Sequence, residues 1–119
     1  MTFSTSVERR ESAAIVRLEG DLDIAAETRA LADLERAMDG AGVLIADLRG
    51  LGFLDSTGVR VLLETDIRAR EHGLRFGVVR GGGMIARLLD VTRIDERFPV
   101  VDEPDELIGW AGGGPPEGG

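Results

Sequence analysis

The sequence of 119 residues contains no cysteine and no lysine, and each absence removes a class of chemistry. Without cysteine there are no disulfides, no thiol nucleophiles and no thiolate ligands for a metal. Without lysine there is no Schiff base and no phosphate-binding lysine of the P-loop kind. A single histidine, His72, cannot build a multi-histidine metal site. All 14 basic residues are arginines, and no cofactor or resident metal is expected.

Long apolar runs are also missing, because no stretch approaches the roughly 20 residues that a membrane-spanning helix needs. Residues 1–5 lack the basic and apolar regions of a signal peptide. A cytoplasmic location without membrane contact is expected by default. The formal net charge of -8 argues against nucleic acid as a partner, since phosphate binding needs clustered basic residues. An acidic surface fits a basic protein partner, although solubility alone explains it equally well.

The hydrophobic pattern predicts alternating strands and helices. Residues 3–8 and 14–18 predict a hairpin with a polar turn at 8–12, and Gly20 is expected to end it. Next come a helix over 25–38, a strand over 43–48, a helix over 57–71, a strand over 74–79, a helix after Gly83, a strand over 98–101 and a helix from Pro104. This order predicts an α/β fold, with one domain over residues 1–111, a mixed, mostly parallel sheet and about four helices. The Gly- and Pro-rich residues 112–119 are expected to form a disordered tail.

Apolar stripes predict the buried face of each later helix. The second helix carries its stripe at Val59, Leu62, Leu63 and Ile67. The third helix is expected to bury Met84, Ile85, Leu88 and Leu89. Val61 falls outside the first stripe, so we expect it to be an exposed apolar contact. Trp110 is expected to be a packing residue of the last helix.

Two strand-to-helix junctions carry polar residues of the kinds that α/β proteins place at functional sites. Asp21 and Asp23 follow the second strand, and the run Asp55-Ser56-Thr57-Gly58 follows the third. If these strands are neighbours, both loops open on the same edge of the sheet. A contact surface is then predicted from the two loops and the exposed first turns of the second helix, which include Arg60.

Ser56 permits two interpretations. Asp55 or Ser56 can cap the second helix, because their side chains accept hydrogen bonds from free N–H groups of the first turn. Alternatively, Ser56 is a phosphorylation site, because a helix N-terminus favours an anion. In that case Gly58 is expected to leave room for a kinase to approach the backbone. On local physics alone, capping is the stronger interpretation.

The Asp21 and Asp23 pair also permits two interpretations. An Asp-x-Asp run after a strand resembles the haloacid-dehalogenase phosphatases, in which the first aspartate is phosphorylated and Mg²⁺ is bound. That family usually holds the phosphoryl group with a later lysine, which this chain lacks, and the chain is short for that fold. The simpler interpretation is that Asp23 caps the helix that begins near Ala25.

Three segments together resemble the anti-sigma-factor antagonists of the STAS domain family. Leu18–Asp23 resembles the family's Gly-Glu-Leu-Asp loop, and Phe53–Val59 matches its Asp-Ser-Ser/Thr-Gly phosphorylation loop, which is the most specific signal. Residues 88–107 follow its C-terminal pattern of helix, short strand and closing helix. The resemblance covers the chain from about Thr5 to Ala111.

The resemblance implies a non-enzymatic binding protein that another enzyme switches. In that family the serine at the position of Ser56 accepts phosphate from an anti-sigma factor, a serine kinase with a histidine-kinase-like ATPase fold. The unphosphorylated antagonist binds this kinase and releases the sigma factor, and a metal-dependent serine phosphatase restores it. The residue at the position of Asp23 helps binding and phosphorylation.

The chain departs from the family pattern at two positions. Asp21 stands where glutamate is commoner, and Arg93 stands where the family often has glycine, so the turn after the third helix is expected to differ. Some family members have lost phosphorylation and serve as constitutive scaffold subunits of a transporter or a signalling complex. That role is the alternative function, and the Asp21/Asp23 phosphatase is a distant third.

Overall fold

A computed structural model describes residues 2–112 of the chain. Its elements are β1 (Phe3–Arg10), β2 (Ala13–Leu22), a 3-10 turn (Ile24–Ala26), α1 (Glu27–Ala37), β3 (Val43–Leu54), α2 (Ser56–Glu71), β4 (Arg75–Val79), α3 (Gly83–Thr92), a 3-10 turn (Ile94–Glu96), β5 (Val100–Val101), α4 (Asp105–Ile108) and a 3-10 turn (Gly109–Gly112). The tail predicted over 112–119 lies outside the described residues from position 113 onward. None of the described helices is both long enough and apolar enough to cross a membrane.

The five strands form one mixed sheet in the order β1-β2-β3-β4-β5. β1 and β2 are antiparallel, and the three following pairs are parallel. The prediction of an α/β fold with an opening hairpin and a mostly parallel sheet is confirmed. Because β2, β3 and β4 run parallel to one another, their carboxyl ends point the same way.

Alternating side chains of the central strands supply a core on each face of the sheet. Ala14, Val16 and Leu18 of β2 lie in the larger core with residues of α1, α2 and α3, all on the first face. Ala13 and Ile15 belong to the smaller core on the second face, which α4 covers through Leu107 and Ile108. Trp110 packs against the smaller core, as predicted.

The second face is charged where α4 does not cover it. Asp47 in β3 is buried, and its carboxylate accepts hydrogen bonds from Nε and Nη2 of Arg49 at 3.0 and 2.9 Å. Hydrogen bonding to Asp47 is the main cause that raises the pKa of Arg49, and Glu103 adds to it. The Asp47 carboxylate also accepts from the backbone N–H of Arg49, so the buried charge is neutralised and hydrogen-bonded.

The strands of the hairpin and centre are longer than the pattern predicts. β1 continues to Arg10, so the turn is at residues 11–12, and Gly20 lies within β2 rather than ending it. β3 continues to Leu54, six residues beyond its apolar run. Two register shifts against β2 each place an extra residue in β3, which contains Gly50 and Gly52 in this stretch. These glycines interrupt the hydrophobic pattern, which is why the pattern alone ends the strand early.

The predicted burial of three residues on α2 and α3 is wrong. Val61 is 1% exposed, because α2 packs against α1 as well as the sheet and therefore buries a wider arc than one stripe. Ile67, assigned to that stripe, is 44% exposed. Met84 is 86% exposed in the first turn of α3, whereas its neighbour Ile85 is buried as predicted.

Candidate partner-binding site

The two polar loops open on the same edge of the sheet. β2 and β3 are paired up to Leu22 and Leu54, so Asp23 and Asp55 are the residues that leave the two strands. Neighbouring strands lie about 4.8 Å apart. β2 and β3 are therefore neighbours, as the predicted shared edge of the two loops required. Asp21, which pairs with Phe53, lies at the same edge.

The two aspartates make matching caps. Oδ1 of Asp23 accepts a hydrogen bond from the backbone N–H of Ala26 at 3.2 Å, at the 3-10 turn before α1. Oδ1 of Asp55 accepts one from the backbone N–H of Gly58 at 3.2 Å, at the start of α2. The capping interpretation of Asp23 is confirmed, and Asp55 rather than Ser56 caps α2.

Ser56 is the first residue of α2 and is exposed. Within residues 2–112, no hydrogen bond joins its hydroxyl to another group, since Asp55 satisfies the cap. The first turn of a helix presents free N–H groups and the positive end of the helix dipole, which together favour an anion. Phosphorylation of Ser56 itself stays a prediction, and the hydroxyl is in a position that permits it.

Gly58 has a packing role that contradicts its predicted role as open space for a kinase. It is buried, and a Cβ added there would lie 2.1 Å from Cδ1 of Leu54 and 2.9 Å from the carbonyl oxygen of Leu22. The missing side chain lets the first turn of α2 pack directly on the ends of β2 and β3. Gly58 therefore positions Ser56 without forming part of the surface.

Val61 also leaves the predicted contact surface, because it is buried in the larger core. Of the other predicted residues on α2, Thr57 is half-buried and Arg60 is exposed. Nη2 of Arg60 pairs with Oε2 of Glu27 in α1 at 3.1 Å, an exposed pair that is worth little to stability. The guanidinium of Arg60 is therefore held beside the helix start that bears Ser56.

Two apolar residues near this edge were missed by the sequence reasoning. Ile24 follows the Asp23 cap and is 74% exposed, and Phe53 precedes the Asp55 cap and is 46% exposed. Phe53 begins one motif segment and Ile24 directly follows the other, and in both places the interpretation rested on the polar residues. A large apolar side chain directly beside a polar loop was the available signal. Exposed apolar residues bordered by polar residues are found at protein-binding surfaces.

The edge is acidic and holds no cluster that suits a metal. Asp21, Asp23 and Asp55 are each partly exposed. Oδ1 of Asp21 is close to Gly52 on the neighbouring strand, 3.8 Å from the place that a Cβ on this glycine would occupy. Among the described residues, no three histidine or carboxylate side chains come together in a way that could bind a metal ion. The Asp21/Asp23 phosphatase interpretation gains no support from this geometry.

A protein-family comparison matches residues 4–107 to the STAS domain. The chain belongs to the STAS domain family. Among curated proteins, none matches the chain.

Solved structures share the fold of this STAS domain at low sequence identity. An anti-sigma factor antagonist from Mycobacterium paratuberculosis has a TM-score of 0.77 at 24% identity, covering 92% of this chain and 94% of that one. The Bacillus cell fate determinant SpoIIAA in its phosphorylated form has a TM-score of 0.65 at 18% identity, covering 90% and 98%. A sulfate transporter family protein from Wolinella succinogenes has a TM-score of 0.70 at 18% identity, covering 84% of each chain.

Proposed function

We propose that this STAS domain is an anti-sigma-factor antagonist whose binding to a serine kinase is switched off by phosphorylation of Ser56. The observation that carries the proposal is the exposed, unengaged hydroxyl of Ser56 at the first position of α2. Asp55 satisfies the helix start, so modification of Ser56 breaks no cap. The fold shared with anti-sigma-factor antagonists, one of them solved in a phosphorylated form, supports the proposal.

The proposed partners are those of partner switching in the cytoplasm. An anti-sigma factor with a histidine-kinase-like ATPase fold binds the unphosphorylated domain, which frees a sigma factor. The kinase transfers the γ-phosphoryl group of ATP to the Ser56 hydroxyl, and ADP leaves. The Asp23 and Asp55 carboxylates are engaged as caps, so the base that accepts the hydroxyl proton is assigned to the kinase. A metal-dependent serine phosphatase reverses the modification.

The charge of one phosphate is large enough to lower the affinity for the partner about a hundredfold. Phosphorylation adds about -1.5 to -2 charges at neutral pH. Two like charges about 6 Å apart at an effective dielectric near 20 repel by roughly 2.8 kcal/mol before salt screening. A hundredfold loss of affinity requires only about 2.7 kcal/mol. A phosphate on Ser56 therefore suffices to release a partner that places a carboxylate about 6 Å from it, and its bulk adds a steric cost.

The proposed contact surface comprises the exposed part of the predicted one together with two additions. Asp21, Asp23, Asp55, Ser56, Thr57 and Arg60 form the polar part. Ile24 and Phe53 add the apolar part, which supplies contact area that polar groups alone do not. A partner that fits this surface has apolar contacts bordered by basic groups.

A phosphorylation assay tests the proposal. Incubation with the cognate serine kinase and ATP, followed by intact-mass measurement, is expected to show one added phosphoryl group on the native chain and on Thr57→Ala, and none on Ser56→Ala. Ser56→Ala is expected to keep partner binding, and Ser56→Asp to weaken it about tenfold or more through charge. Equal binding by Ser56→Ala and Ser56→Asp would contradict the switch.

A second function is a constitutive scaffold subunit, which the fold shared with the sulfate transporter family protein favours. In that role Ser56 is not modified, and the sheet edge that carries Asp21, Asp23 and Asp55 binds its partner permanently. The two functions differ in one measurable property. A scaffold is expected to bind its partner with the same affinity before and after incubation with the kinase and ATP.

A further inference from the structure

A groove of about 460 Å³ lies at the opposite end of α2 from Ser56. We call it the aromatic groove and define it by Arg70, Arg75, Phe76, Arg97, Phe98 and Trp110, which line it. Arg70 is 14 positions after Ser56 on one continuous helix, a separation of about 21 Å along the helix axis. Small-molecule sites are typically about 300–1,000 Å³, so this groove has room for a compact ligand and is separate from the partner-binding edge.

The floor and one wall of the aromatic groove are apolar. Phe76 of β4 and Phe98 before β5 are buried and meet edge to face, with ring centroids 4.8 Å apart. Trp110 is half-buried and forms the wall on the side of the smaller core. Leu74 and Pro99 complete the apolar part of the lining. This surface favours an apolar, preferably compact, ligand body.

The rim is basic once its ion pairs are counted. Arg70 is engaged, because its Nε pairs with the buried carboxylate of Asp66 at 3.2 Å and its Nη2 donates to the carbonyl of Arg97 at 2.9 Å. Arg75 and the side chain of Arg97 pair with no carboxylate of residues 2–112, whereas most other arginines of the chain do. The guanidinium carbon of Arg75 lies 5.3 Å from the ring centroid of Trp110.

The acidic residues of the rim do not cancel these two charges. Glu96 pairs with Arg93 at 3.7 Å and Asp66 pairs with Arg70, which leaves Asp95 as the lining carboxylate with no ion pair to residues 2–112. Two guanidinium groups against one carboxylate make a local excess of positive charge in a chain with a net charge of -8. Guanidinium groups bind carboxylates with strong, directional hydrogen bonds, and they do so best where water is partly excluded.

Trp110 provides a reporter for this wall of the groove. Its indole Nε1 is buried and has no hydrogen-bond acceptor within residues 2–112. Because this nitrogen is closed to solvent, a ligand in the groove contacts the indole ring and does not pair with the N–H. A ligand that lies against the ring still changes the environment of the N–H.

We propose that the aromatic groove binds a small carboxylate with an apolar body, such as a short alkanoate or an aryl carboxylate. The carboxylate pairs with Arg75 and Arg97, and the apolar body lies against Phe98 and Trp110. This site is separate from Ser56, so its occupancy does not depend on phosphorylation.

The indole N–H resonance of Trp110 tests the proposal, because the chain has a single tryptophan and the signal is self-assigned. The full-length protein is titrated with hexanoate, with hexanol as the neutral match and with inorganic phosphate as an anion without an apolar body. Hexanoate is expected to shift the resonance saturably, with an affinity about tenfold or more above that of hexanol. Phosphate is expected to cause no saturable shift.

Matched arginine variants test whether the carboxylate binds to an arginine of the groove. Arg97→Gln is expected to weaken hexanoate binding by about fivefold or more. Arg87→Gln is the control, because Arg87 on α3 is also exposed and outside the groove, and it is expected to bind hexanoate as the native chain does. Equal affinity for hexanoate and hexanol, equal loss in both variants, or no saturable shift would each overturn the proposal. None of these outcomes bears on Ser56, whose phosphorylation is measured separately.

Discussion

At the scale of the residue, Asp55 and Ser56 have different roles although they are neighbours: Asp55 caps α2, and Ser56 presents its hydroxyl. Asp55 and Ser56 are both good caps by composition, yet Asp55 alone has the extended backbone of an N-cap and its carboxylate reaches the N–H of Gly58. Ser56 has already entered the helix. Its hydroxyl therefore remains available to another protein, and the choice between the two residues depends on where β3 ends.

Gly58→Ala tests the packing role of the glycine beside the site. Alanine favours a helix by about 1 kcal/mol over glycine, so a purely local effect would stabilise the domain. The added Cβ would instead meet the backbone oxygen of Leu22 at 2.9 Å, which cannot move aside cheaply. We expect the free energy of unfolding in urea to fall by roughly 1–3 kcal/mol.

The control for this variant is Gly109→Ala. Gly109 has a φ of -87° and no atom within 4 Å of an added Cβ, so the change should stay within about 0.5 kcal/mol. If Gly58→Ala proved as stable as the native chain, the proposed close contact between α2 and the strand ends would be wrong.

Arg93→Gly tests strain at the end of α3. The sequence departure at this position predicted a different turn, but Arg93 adopts the left-handed conformation itself, with φ 55° and ψ 36°. That conformation costs an L-residue about 1–2 kcal/mol, against about 0.5–1 kcal/mol of extra chain entropy that glycine loses on folding. We expect Arg93→Gly to raise the melting temperature by roughly 2–5 °C in a thermal scan. A lower melting temperature would mean that the exposed pair with Glu96 matters more than the strain.

At the scale of the element, periodicity identifies a helix more reliably than it identifies the buried face. Four apolar residues of α3 were predicted to be buried, and the pattern alone does not say which pair faces the sheet. Ile85 and Leu89 do, whereas Met84 lies in the first turn, past the edge of the packed layer. The same limit explains Val61, which is buried because α1 covers α2 from a second side.

Met84→Ala and Ile85→Ala form a matched pair that tests this assignment. Ile85→Ala removes a buried side chain and is expected to lower the free energy of unfolding by about 2–4 kcal/mol. Met84→Ala removes an exposed one and should change it by less than about 0.5 kcal/mol. Urea denaturation of both variants measures the difference, and similar losses would show that Met84 is packed after all.

At the scale of the whole molecule, the domain separates its proposed switch from its cores. The proposed partner-binding edge lies at the carboxyl ends of β2 and β3, outside both hydrophobic cores. A charge added at this edge changes the surface potential without entering buried space. A chain with a net charge of -8 tolerates the addition, because solvent and salt screen exposed charges.

Phosphorylation of Ser56 should therefore leave the fold intact. Phosphate at the first position of α2 interacts favourably with the helix dipole, by about 0.3–1 kcal/mol where it is exposed. We expect the far-UV circular dichroism spectrum of the fully phosphorylated protein to match that of the unmodified one, with an equal or slightly higher melting temperature. A large loss of ellipticity would contradict a switch that acts through local charge.

The sequence by itself determined the order of strands and helices, the α/β class and the presence of two polar loops at strand ends. Those features depend on hydrophobic periodicity and on turn residues, which act over a few neighbouring positions. Only the tertiary structure decided that Asp55 caps α2, that Gly58 and Val61 are buried, and that Ile24 and Phe53 are exposed beside Ser56. These outcomes depend on how far β3 extends, on the register between β2 and β3 and on the packing of α1 against α2, which join residues distant in the chain.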